Sequence, residues 1–226
     1  MTNGKFQELD EVFEEIKRNI ISSIRSREIF YAYNSCDSIP IKFNGTTKAH
    51  VLNQLMAALC ESLILSIFRC WETGRKSGNR SFPRAKILLS DPEFQAKILT
   101  EEDGGNRLNL LNIFSNRVEL FYKSNRNLII KYARHEGIAH SIENAQDRVD
   151  KKISDRVKML HLFQTLKFNE HMFMHLSVIW KNQTYMLSPF KDDVQRASTE
   201  FIEALPSFSY TEIDSEYLSY RSKFAQ

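Results

Sequence analysis

Residues 129–142 read IIKYARHEGIAHSI, an apolar helical run that ends in an arginine, Arg134, and, six positions on, a histidine, His140. On a regular helix at ~100° per residue, six steps leave two side chains roughly 120° apart, so an unbroken helix does not bring them together. Gly137 lies between them. In a helix interior a glycine costs about 1 kcal/mol relative to Ala, but it lets the chain turn or unwind. Either the helix breaks near Gly137 and folds His140 back, or a second copy of the stretch completes the pair.

The periodicity on both sides is helical. Upstream, Leu110, Ile113, Phe114, Val118 and Phe121 mark one face of a helix starting near Asn106; Ser124 to Asn127 is the place for a bend, and Leu128, Ile129 and Tyr132 carry the pattern on to Arg134. Downstream, 143–180 reads as one long helix or two, 182–189 as a loop and 192–205 as a last amphipathic helix. The aromatic tail beyond Pro206 is either docked or frayed. Residues 48–73 form the most apolar segment, with Leu52, Leu55, Met56, Leu59, Leu63, Ile67 and Phe68 at helical spacing, and are expected to be the central core helix. Residues 5–33 carry one stripe, Phe6, Leu9, Phe13, Ile16 and Ile20. It spans about two heptads, short of a coiled coil, so it should pack on its own chain. Its Glu8, Asp10, Glu11, Glu14 and Glu15 are expected in the first turns, where the helix dipole favours negative charge. Ser81-Phe82-Pro83 and Asp91-Pro92-Glu93 each carry the cap-then-proline signature of a short helix. The expected fold is all-α, a single domain over 1–226 with a core at about 48–180, an N-terminal helix at 5–33 and a C-terminal helix and tail at 191–226.

Composition narrows the function classes. With 31 Lys+Arg against 28 Asp+Glu, the net charge of +3 implies no polyanion partner by itself. Two local runs are basic: 69–86 (Arg69, Arg75, Lys76, Arg80, Arg84, Lys86) and 117–134 (Arg117, Lys123, Arg126, Lys131, Arg134). Such a strip attracts phosphates, or is simply a solvated helix face. Three cysteines, Cys36, Cys60 and Cys70, with no CxxC, argue against a disulfide framework or a structural zinc and for a reducing cytosol. The N-terminus MTNGKFQELDEVFEE has no apolar h-region and no run approaches about 18 apolar residues, so neither export nor membrane spanning is expected. No P-loop, GxGxxG or GxSxG supports nucleotide hydrolysis or acyl transfer.

Arg134, five intervening residues and His140, written RHEGIAHS through Ser141, resemble the Arg-x(4–6)-His motif of HEPN domains, and the small residue before the histidine with the serine after it is similar to the abortive-infection, AbiU-type branch. The resemblance covers about 50–180. It implies a helical bundle that dimerises and acts as a metal-independent endoribonuclease, a toxin or phage-defence effector, with no cofactor. The implied partners are a second copy, RNA and an antitoxin or defence-system protein, with no membrane. Arg134 and His140 would be catalytic, with His135, Glu136 and Ser141 supporting them and Arg126 and Lys131 binding RNA. The chemistry suits the residues: an imidazole with an ordinary pKa near 6.5 exchanges protons at cytosolic pH, and a guanidinium fork holds phosphate oxygens. The position after the arginine, commonly Asn or Asp in these proteins, is His135 here. The alternative is therefore a HEPN-like dimer that binds RNA or a protein without cutting. There is no Tyr two positions after His140 (Ile142 stands there), so toxins silenced by nucleotidylation of such a Tyr are poor models for its control. Glu170, His171 and His175 form EHxxxH, whose histidines, four apart, could share a metal, but no third ligand is evident. Trp71 and Trp180 close apolar helices and read first as packing.

Overall fold

Leu9, Val12, Phe13, Ile16, Ile20 and Ile24 recur every three or four residues, and every one is buried. They line α1 (Thr2–Ser35), around which the other helices gather in this computed structural model, which describes residues 2–35, 47–73, 80–124, 127 and 159–204. The others are α2 (Thr47–Arg69), α3 (Phe82–Leu89), α4 (Pro92–Thr100), α5 (Gly104–Lys123), α6 (Met159–Lys181) and α7 (Ser188–Glu203). The all-α class is observed: seven helices and no strand among the described residues. α1 packs on α2, α3, α6 and α7; α5 packs on α3, α4 and α6, so α3 and α6 join the two groups.

α2 is not the central helix. Met56, Leu63, Ser66 and Ile67 are buried, as is Cys70 just past its end, but Val51 is 66% and Leu55 47% exposed. By length and composition alone, His50–Arg69 would also suit a membrane span, at 20 residues and mean hydropathy 1.7, although Asn53, Gln54 and Glu61 interrupt its apolar run. Nor do the α1 carboxylates sit in its first turn, because the helix starts at Thr2. Three of them reach across to neighbours, while Glu14 and Glu15 pair with Lys17 and Arg18 on α1 itself. Glu8 accepts from Arg84 Nε at 2.6 Å, Glu11 from Arg80 at 2.6 Å, and Asp10 from Trp180 Nε1 at 2.7 Å and from Lys181. Burial acts to raise the Asp10 carboxyl, but those two hydrogen bonds outweigh it and hold it below its usual range.

The caps divide. Asp91 accepts from the Glu93 amide at 3.0 Å as expected, whereas Ser81 donates its hydroxyl to Glu72 O at 2.8 Å and leaves α3 without a side-chain cap. At the far end of α6, the buried Arg107 of α5 donates Nε and Nη2 to Ile179 O at 3.1 and 2.6 Å, and Nη1 to Glu101 at 2.6 Å. A cation there meets the negative end of the α6 dipole and satisfies a carbonyl of its last turn.

Candidate functional site

The chain enters the 129–142 stretch from a firm anchor. Trp71, just past α2, lies face to face with Phe121 of α5 at 3.5 Å between ring centres, and near-parallel to Phe168 of α6 at 5.9 Å. Its indole N–H donates to Asn169 Oδ1 at 2.7 Å, and its carbonyl accepts from Tyr122 Oη at 2.7 Å. Burial pushes the Tyr122 phenol well above its ordinary pKa, so the hydroxyl stays protonated and able to donate. Ser124 then closes α5 by donating its hydroxyl to Phe121 O at 2.7 Å, and the buried Asn127 donates to Tyr122 O at 3.4 Å. Three helices thus hold the last described residue before the stretch. Arg134, His140, His135, Glu136, Ser141, Lys131 and Arg126 lie outside the described residues.

The second half of the upstream basic run is not a free strip. Arg80, Arg84 and Lys86 pair with Glu11, Glu8 and Glu119, so these cations tie α3 to α1 and α5. Arg117, from the second run, stands half-buried near His175. Burial lowers the His175 pKa, and the charges of Arg117 and His171 lower it further. His175 Nδ1 is buried and has no hydrogen-bond partner among the described residues. The glutamate of EHxxxH is engaged: Glu170 takes Arg27 on one oxygen at 3.2 Å and Lys191 on the other. Among the described residues no three His, Cys, Asp or Glu side chains gather as a metal would need. Both tryptophans are packing residues, Trp180 stacking on Phe6 at 5.8 Å. Local charge runs do not reveal the cluster of Arg27, Lys167, His171 and Lys191, because it is assembled from three helices distant in sequence. The one signal on a single helix is Lys167, His171 and Met174 at helical spacing.

A family model of the HEPN class described as AbiU2 matches residues 6–201. The chain belongs to the AbiU2 family of HEPN proteins. No curated protein and no solved structure matches it. The AbiU2 match takes in α1 and α7 as well as the helices flanking the Arg134–His140 stretch, more than the 50–180 assigned from the motif. In this AbiU2 protein α1, read from sequence as lying outside the HEPN-like core, supplies most of the contacts that hold the bundle together.

Proposed function

We propose that this AbiU2-family chain is a metal-independent endoribonuclease, a toxin or phage-defence effector of the cytosol that works as a homodimer. The observation that carries the reading is the Arg134–His140 pair, in the HEPN motif spacing, within a chain whose family is abortive-infection HEPN. On an unbroken helix the six-residue spacing would leave the two side chains roughly 120° apart, and a second copy of the stretch would supply the groups that one copy holds apart. Across the dimer, one His140 takes the proton of a ribose 2′-OH as it attacks the adjacent phosphorus. The other protonates the departing 5′-oxygen, and the two Arg134 guanidiniums hold the charge building on the phosphate. The nucleophile is already placed by the ribose, so proximity needs no further help. An antitoxin or defence-system partner would keep such an activity in check.

A second reading, an RNA- or protein-binding HEPN dimer without cleavage, draws on one observation, His135 where these proteins commonly have Asn or Asp. Incubating purified protein with single-stranded RNA in excess EDTA separates the two. Wild type cuts, while His140→Ala and Arg134→Ala do not, with far-UV circular dichroism unchanged. Arg134→Lys also fails, since a point charge does not replace a bidentate fork. Full activity in Arg134→Ala moves the site elsewhere.

A further inference from the structure

Between α6, the turn before α7 and α1 lies an open cavity of about 450 Å3, within the size range of small-ligand sites. Its floor is ionic and balanced. Glu170, 4% exposed, is held by Arg27 and Lys191, and Arg27 also donates to the buried Glu28. Two carboxylates meet two cations there. The wall is not balanced. Lys167 and His171, one turn apart on α6, are exposed, line the cavity, and make no ion pair with any described residue. Glu170 is the only carboxylate among the described lining residues. Beyond His171, near His175, stands the Arg117 cation of α5. At the mouth, two methionines are uncovered, Met174 at 37% and Met186 at 72%. Thioether side chains are polarisable and adapt to a flat aromatic surface.

We infer that this cavity seats one nucleotide of a single-stranded RNA, its phosphate between Lys167 and His171 and its base against Met174 and Met186. The inference rests on the ribonuclease reading and adds to it a place where the strand is gripped, apart from Arg134 and His140. A lysine and an imidazole on phosphate position a strand without reading its sequence, as a nuclease with a broad substrate range requires. The cations beneath are already paired with carboxylates, so among the described residues the unpaired lining cation, Lys167, stands on the wall.

The test uses the full chain carrying His140→Ala, so that RNA stays intact, and follows a fluorescein-labelled single-stranded RNA by anisotropy across a salt series. Lys167→Glu in that background should weaken binding about tenfold and lower the salt slope by about one. Arg18→Glu, the same change of net charge at an exposed position paired, among the described residues, with Glu15, should weaken it far less. Met186→Ser, at a site too exposed to disturb folding, should weaken binding with the salt slope kept. Equal losses in Lys167→Glu and Arg18→Glu, or no loss in Lys167→Glu, overturn the cavity while leaving the ribonuclease reading standing. No RNA binding by the parent overturns both.

Discussion

Gly104 and Gly105 are neighbours at the start of α5 with opposite tolerance for a side chain. A Cβ on Gly104 would meet Ile98 O at 2.3 Å and Leu99 Cα at 2.8 Å, both backbone atoms of α4, whereas one on Gly105 meets nothing within 4 Å. Gly105→Ala should therefore stabilise by about 0.5–1 kcal/mol through helix propensity, while Gly104→Ala should cost about 1–3 kcal/mol. Urea unfolding of the two variants checks the sign; equal effects would mean that α4 and α5 do not approach so closely. His175 offers a second residue-scale test. Its folded pKa lies below the ordinary 6.5 because burial, then Arg117 and His171, disfavour the imidazolium. Protonation thus favours unfolding: the stability from neutral His175 is complete above pH 6.5 and is lost as pH falls through the lowered value. His175→Gln should flatten the fall of Tm below pH 6.5, and an NMR titration placing His175 at or above 6.5 would contradict the burial. From sequence, Arg134 and His140 stand out because their spacing can be read along one chain. The partners of Glu8, Glu11 and Glu170 cannot be, since each lies 21 to 143 positions away.

Among the described residues hydrophobicity located the helices but ranked them wrongly, while the helical patterns read at 128–134 and 143–158 lie outside those residues. α2 is the most apolar segment by eye, yet α1 is the one the bundle surrounds. The reason is register. Ser66 of α2 meets Ser22 of α1 at 3.2 Å, and Cys70 lies near Glu15, so the two helices run antiparallel. The first turns of α2 consequently reach the end of α1 at Ser35, where Val51 and Leu55 find less to pack on. Apolar content reports what a helix can bury, and only the packing decides how much of it is buried. Ile16→Ala in α1 should therefore cost about 3 kcal/mol, and Leu55→Ala in α2 less than about 0.5 kcal/mol. Chemical denaturation ranks them; a larger loss from Leu55→Ala would restore α2 to the centre. Ser81 shows the same limit at smaller scale: the cap signature places the start of α3, but its hydroxyl is drawn to Glu72 O, across the 74–79 segment.

At the scale of the whole molecule, the family and the all-α class were legible in the sequence, the first from the Arg134–His140 motif and the second from periodicity. The Trp71–Phe121–Phe168 stack that anchors the approach to the motif was not, because its members come from two helices and the turn after a third, far apart in sequence. That anchor gives the proposed chemistry a rigid entry point, and the chemistry itself predicts a distinctive product. An attack by the 2′-OH leaves a 2′,3′-cyclic phosphate on one fragment and a free 5′-hydroxyl on the other, and it cannot proceed where the 2′-OH is missing. The decisive measurement is end-group analysis of a single-stranded RNA cut in excess EDTA, beside the same RNA carrying one 2′-deoxy residue at the cut site. The expected result is a cyclic phosphate from the first and an intact second strand. Cleavage of the deoxy-substituted strand at that site, or loss of cutting of the all-ribose strand on chelation, would contradict it.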